Sequence, residues 1–225
     1  MDQAGQKALA ARRAAEEVQQ GMIVGLGTGS TAALLVTALG ERVRQGLRFT
    51  GVPTSEATAK QARALGIALA TLEEHPSLDL DIDGADEVDP KRDLTKGLGG
   101  ALLREKIVAG AAKRLIIMVD ESKLVSRLGE KTPVPVEVTP FGWTRTGNAL
   151  RELGAEPVLR GGVTGPFVTD GGNYVLDCRF PATTALAALA GAIKATVGVV
   201  EHGLFVGMRP TVVVGKADGG CEVRG

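Results

Sequence analysis

The chain has 225 residues, 44% of them hydrophobic and 23% charged, a composition that sustains a folded core and excludes disorder. Lys plus Arg and Asp plus Glu each total 26, so no net field draws nucleic acid or an anionic membrane. Aromatic residues make up only 3%, too few for a base-stacking platform.

The first twenty residues, "MDQAGQKALAARRAAEEVQQ", are Ala-rich and charged and read as a helix without a signal-peptide core. "GMIVGLGTGSTAALLVTAL" then gives a short strand, a glycine turn and a helical pattern. "LRFTGVPTSEATAKQARALG" repeats the scheme, with Thr54-Ser55 as cap and Gly66 as stop. "IALATL" and "LDLDID" read as strands, "GGALLREKIVAGAAK" as a helix, and "RLIIMVD" as a buried strand. Strands alternating with helices predict an open parallel sheet, an α/β Rossmann-like domain with ligands at the carboxyl ends of its strands.

From Thr132 the pattern changes. "PVPVEVTP", "GWTRTGNALRELG", "AEPVLR", "NYVLDC", "ATTALAALAGAIKA" and "GVVEHGLFVG" read β-α-β-β-α-β, a split βαβ of ferredoxin-like type. "TVVVGKADG" then returns to the first domain as a final strand. The expected division is 1–131 plus 207–225 for the sheet domain and 132–206 for the small α+β domain inserted before the C-terminal strand.

"LDLDIDGADEVDP", Leu78 to Pro90, opens like a calcium-binding EF-hand loop. With Asp79 as position one, the sixth residue is the required Gly84, but the twelfth is Pro90 where a bidentate Glu is needed. Leu78, Leu80 and Ile82 alternate with Asp79, Asp81 and Asp83, so the acids lie along a strand with one polar face. For Asp79 and Asp81 the expectation is solvation. Cys178 and Cys221 form no C-x-x-C, and His75 and His202 are the only histidines, read as solvated. No metal site and no cofactor are expected, which leaves acid–base chemistry to carboxylates and lysines.

Three turns sit where sheet strands should end. "VGLGTGST", Val24 to Thr31, joins a strand to a helix, where N–H groups and the helix dipole favour an anion. It lacks the third glycine of a dinucleotide turn and the lysine of a P-loop, so a phosphate monoester fits better than a nucleotide. A plain glycine turn with a Ser/Thr cap is an equally good reading of this motif alone. "DGADE" sets Asp83 and Asp86 three apart across a Gly-Ala bend, although alone it reads more simply as an Asp-Gly turn with solvated acids. "KGLGGALLREK" puts Lys96 before a flexible glycine run, an anion nest in the making, and Glu105 nine residues further on in the helix; taken alone, its "REK" reads rather as a solvated helical charge cluster. Together they suit proton transfer on a phosphorylated polyol.

"GLGTGST", "GVPTSEAT", "DGADEVD", "KGLGGALLREK" and "DESK", followed by "PVPVEV", "GNYVLD" and "VGKADG", resemble the type A family of ribose-5-phosphate isomerases across essentially the whole chain. Leu98 interrupts a run that is often all glycine in that family. The resemblance implies a metal-independent, cytoplasmic isomerase of the pentose phosphate pathway, interconverting ribose 5-phosphate and ribulose 5-phosphate. It implies Glu105 as proton acceptor, with Thr28, Gly29, Ser30 and Thr31, Asp83, Gly84, Ala85 and Asp86, Lys96, Gly97, Leu98 and Gly99, and Lys123 as substrate-binding positions. From the motifs, Asp83 or Asp86 would serve ring opening and Lys96 the enediolate oxygen. The expected partners are a sugar phosphate and copies of the same chain, as a homodimer or homotetramer, with no nucleic acid and no membrane. The rival readings are a catalytically silent sugar-phosphate sensor and a CoA-transferase-like enzyme with a nucleophilic Glu.

Overall fold

The order of elements begins α1 (Gln3–Ala15), β1 (Ile23–Leu26), α2 (Ser30–Arg44), β2 (Thr50–Pro53), α3 (Glu56–Ala64), β3 (Ala68–Leu69) and β4 (Leu80–Gly84). Two short strands follow, β5 (Glu87–Val88) and β6 (Leu94–Thr95), then α4 (Leu102–Ala111), β7 (Leu115–Asp120) and a 3-10 turn at Glu121–Lys123. Next come β8 (Val134–Val138), α5 (Trp143–Glu152), β9 (Glu156–Leu159), β10 (Tyr174–Arg179), α6 (Leu186–Ala195) and β11 (Val199–His202). The last strands are β12 (Leu204–Phe205), β13 (Thr211–Gly215) and β14 (Cys221–Arg224). This computed structural model describes residues 1–182 and 184–225. Thr183, within a stretch expected to be helical, lies outside the described residues.

The chain divides into two compact units. The first comprises Met1–Ala85, Arg104–Leu124 and Met208–Gly225. Its seven-stranded sheet has the order β14-β13-β7-β4-β1-β2-β3 and is parallel except for the β13–β14 hairpin. Asp2 caps α1 by accepting the Gly5 N–H at 2.9 Å, and Ser55 caps α3 by accepting the Thr58 N–H at 3.1 Å. On one face Val24, Leu26, Leu80, Ile82, Ile116 and Met118 pack with Ala10 and Ala14 of α1 and Leu35 and Leu39 of α2. The alanines let α1 approach closely, and a methyl on Gly215 of β13 would run into the Gln6 carbonyl. A smaller cluster of Val52, Leu78 and Val108 holds α4 on the other face.

The second unit comprises Asp86–Leu103 and Val125–Gly207. Its four-stranded sheet, β11-β8-β10-β9, is antiparallel, and with α5 and α6 it gives the β-α-β-β-α-β order read from the sequence. Val134, Val136, Val138, Leu150, Leu176 and Ile193 fill its core. Cys178 is buried there, and burial pushes its thiol up to about 12, so it stays a small apolar filler.

The expected and observed divisions differ over residues 86–103 and 125–131, and by one residue at Gly207. Both segments group with the second unit because β5 and β6 pair with β12 in a separate three-stranded sheet. Glu87, fully buried, ties them down by accepting the N–H groups of Gly129 at 2.6 Å, Lys131 at 2.6 Å and Thr132 at 2.7 Å. "GVVEHGLFVG", read as one strand, is two, broken at Gly203. That residue pairs its N–H with Pro135 and accepts the Lys96 N–H at 2.8 Å. His202, expected in solvent, is buried, and its Nδ1 accepts the Leu204 N–H at 3.2 Å.

Candidate active site

In the first unit, β1 and β4 are neighbours, and the sheet connections diverge between them. That is the position where open α/β sheets bind ligands. Their register sets Gly25 opposite Asp81 and Leu26 opposite Ile82, with Gly27 and Asp83 following at the carboxyl ends. A β-carbon on Gly27 would overlap the Asp83 carboxylate, and one on Gly25 would overlap the Asp81 carboxylate. The Gly-x-Gly of the first motif therefore makes room for the Asp-x-Asp of the second.

Asp83 is 1% exposed and knits the turn together. Its Oδ1 accepts the Thr28 N–H at 3.1 Å and the Gly84 N–H at 2.7 Å. The Thr28 hydroxyl lies 2.7 Å from that of Thr54 and donates to Ser55 Oγ at 2.9 Å. Gly29, with φ of 107°, turns the chain into α2, whose first residues have no side-chain cap. The opening N–H groups of a helix have no intrahelical acceptor, so this end suits an anion. Gly29 and Ser30 are exposed and Thr31 half-buried.

A cation that sequence reasoning missed stands at this turn. Lys7 of α1 donates from Nζ to Ser30 Oγ at 3.3 Å. Lys7 and Ser30 are far apart in the chain, and a lysine in an Ala-rich helix gives no signal of its own. Lys123 is half-buried in the 3-10 turn after β7. That turn is fixed by Asp120, whose Oδ1 accepts the Ser122 N–H at 3.0 Å and Gln3 Nε2 at 3.2 Å.

Glu105, in the opening turns of α4, is 3% exposed, whereas its neighbour Arg104 reaches outward to Glu56 at 3.0 Å. Asp81 contradicts the expected polar strand face: it has no exposed surface, because helices cover both faces of the sheet. Asp79 is only partly solvated. The Ile23 N–H at 3.0 Å and then Lys113 Nζ at 2.9 Å hold its carboxyl below the usual carboxylate range.

In the second unit, Asp86 is half-buried and accepts the Leu98 N–H on Oδ2 at 2.9 Å. Lys96 is 4% exposed, and its ammonium lies 5.6 Å from the centroid of the Phe205 ring, a cation–π distance. The glycine run is not a fully open nest, since the Leu98 N–H goes to Asp86 and the Gly100 N–H goes to the Gly97 carbonyl. Gly97 needs its glycine, with φ of 102°, whereas Leu98 is not among the residues with positive φ and fits as an ordinary residue. Arg160, another residue without a local sequence signal, braces the loop. It donates to the Gly97 carbonyl at 3.0 Å and the Leu98 carbonyl at 3.1 Å while pairing with Asp177.

An open parallel sheet with a glycine turn opening an uncapped helix, lysines beside it and buried carboxylates at its carboxyl edge defines an α/β protein whose site suits a small anionic ligand. The sequence pattern of the ribose 5-phosphate isomerase A (phosphoriboisomerase A) family matches residues 50–219, so the chain belongs to that family. The ribose-5-phosphate isomerase A of Gloeobacter violaceus is 60% identical over 218 residues, covering 96% of this chain and 94% of that protein. That of Thermomicrobium roseum is 52% identical over 215 residues, covering 95% and 91%. Among solved structures, ribose 5-phosphate isomerase from Plasmodium falciparum superposes with a TM-score of 0.93 at 39% identity, covering 98% of each chain. A D-ribose-5-phosphate isomerase in complex with phospho-erythronic acid gives 0.94 at 38% identity, covering all of both chains.

Proposed function

We propose that this chain interconverts D-ribose 5-phosphate and D-ribulose 5-phosphate through a cis-enediolate, with Glu105 as the general base. The observation that carries this reading is the burial of Glu105, a carboxylate kept from water in a chain of the isomerase family. Glu105 takes the proton from C2 of the open aldehyde and returns it to C1. A general base contributes roughly 10²–10⁴-fold, less than the ~10⁶ or more typical of enzymes. Lys96 supplies further stabilisation at the enediolate oxygen, where a well-placed donor is worth about 3 kcal/mol. Ring opening calls on Asp83 or Asp86, and of the two only Asp86 is not buried. Phospho-erythronic acid, held by a structural relative, supports this chemistry. A phosphorylated sugar acid with a planar carboxylate has the charge and shape of the enediolate.

The Gly29-Ser30-Thr31 turn, Lys7 and Lys123 receive the phosphate, so that binding at the far end of the substrate orients the reacting carbons. Lys7→Ala is expected to lower kcat/KM by about tenfold, the loss of one charge-assisted hydrogen bond. The effect should fall mainly on KM in steady-state kinetics, and an unchanged KM would remove Lys7 from the phosphate site. Phe141 and Val197, 95% and 92% exposed, support assembly with further copies of the chain. No described helix is long and apolar enough to cross a membrane, which is compatible with a cytoplasmic location.

The decisive experiment follows ribulose 5-phosphate directly from ribose 5-phosphate and purified chain in EDTA. Robust turnover is the expected result. Binding of ribose 5-phosphate without turnover would make this chain a sensor and Glu105 a contact.

A further inference from the structure

The mechanism leaves the buried carboxylate of Asp81 unused. Asp81 stands opposite Gly25 with no exposed surface. Measured from where a β-carbon on Gly25 would lie, Val108 Cγ1 is at 2.5 Å and the Asp81 carboxyl carbon at 3.0 Å. These two atoms are therefore no further apart than the two distances together. Val108 follows Glu105 by three residues on α4, so the two side chains share a face with β-carbons about 5–6 Å apart. Helical side chains lean toward the N-terminus, which in α4 is from Val108 toward Glu105. Asp81 thus lies beside Val108, one helical turn from Glu105 on the same face of α4, and both carboxylates are out of water.

Other charges nearby are mostly engaged elsewhere. On β4, Asp83 accepts two backbone N–H groups and Asp79 pairs with Lys113. On α4, Arg104 pairs with Glu56 of α3, and Lys106 is half-buried. Opposite Asp81, β1 presents Gly25, which carries no charge.

We infer that Asp81 is a positioning residue for Glu105, its carboxylate raising the proton affinity of the base so that the pair shares one proton over part of the working pH range. Two carboxylates in a low-dielectric setting do not both ionise freely, and their protons leave in steps that belong to the pair. A base whose affinity is lifted toward the working pH takes a carbon-bound proton more effectively. This role rests on the reading of Glu105 as the base.

The test is the pH profile of kcat/KM for wild type, Asp81→Asn and Glu105→Gln. In Asp81→Asn the acidic limb should move about one unit toward lower pH, since a neighbouring negative charge has been removed. An acidic limb left in place, with Glu105→Gln inactive, overturns the role of Asp81 while sparing that of Glu105. Full activity in Glu105→Gln overturns both. If Asp81→Asn does not fold, carbon-13 NMR of wild type labelled at glutamate carboxyls decides the matter, with the Glu105 signal assigned by its loss in Glu105→Gln. A titration midpoint above the ordinary glutamate range supports the pairing, and an ordinary midpoint overturns it.

Discussion

Glu105→Gln is expected to lower kcat for ribose 5-phosphate by roughly 10²–10⁴-fold, the usual contribution of a general base, while ribose 5-phosphate still binds. Glutamine matches glutamate in volume, so the variant leaves no cavity under α4, and one oxygen remains as an acceptor. What it cannot do is take a proton. The distinction is readable in two measurements: titration calorimetry with ribose 5-phosphate, expected to change little, and turnover followed as ribulose 5-phosphate. In D2O the wild-type chain should also wash solvent deuterium into the carbon-bound positions of the sugar, and the variant should not. Wild-type activity in the variant would remove Glu105 from proton transfer and with it the enediolate route proposed above.

The largest effect on stability is expected at a residue outside the chemistry. Glu87 has no exposed surface, and three backbone N–H groups converge on it at 2.6, 2.6 and 2.7 Å, with the Thr95 hydroxyl at 3.3 Å. Glu87→Ala strands those donors at the entry to β8. Each unsatisfied buried group costs about 1–3 kcal/mol, so a loss of about 3–5 kcal/mol is expected once the loop partly rehydrates. Glu87→Gln should fall between, because it keeps one oxygen and turns an NH2 toward groups that are themselves donors. Trp143, the only tryptophan, packs partly buried against the core of the same unit, so its fluorescence in urea reports the relevant transition. A loss below about 1 kcal/mol for Ala would mean that water replaces the carboxylate without penalty.

The fold was legible wherever periodicity had room to show. The alternation of strand and helix through Asp120, the Ser55 cap and the β-α-β-β-α-β order after Thr132 all follow from patterns long enough to read. The two-residue strands β5, β6 and β12 are too short to carry a period, which is why the boundary between the units differs from the expected one. Asp81 misled for another reason. Strict alternation of Leu and Asp is the signature of a half-solvated strand, but in a parallel sheet covered on both faces the alternate residues are buried too. The sign that its space was reserved lay in a different motif, in the glycines of "GLG" across the register. Lys7 and Arg160 act through contacts with distant segments, and nothing in their local sequence marks them.

The pairing of β13 with β7 has a consequence for how the protein is made. Ile116 to Asp120 take their outer partner from Thr211 to Gly215, 95 residues later in the chain. At 5–20 residues per second a ribosome needs roughly 5–20 s to deliver that partner. Throughout that interval the nascent sheet presents Ile116, Ile117, Met118 and Val119 along an unpaired strand edge, the kind of template on which chains aggregate. The stretch emerging in the meantime folds largely into the other unit. The sheet on which α4 holds Glu105 is therefore left open on one side until Thr211 to Gly215 have been made.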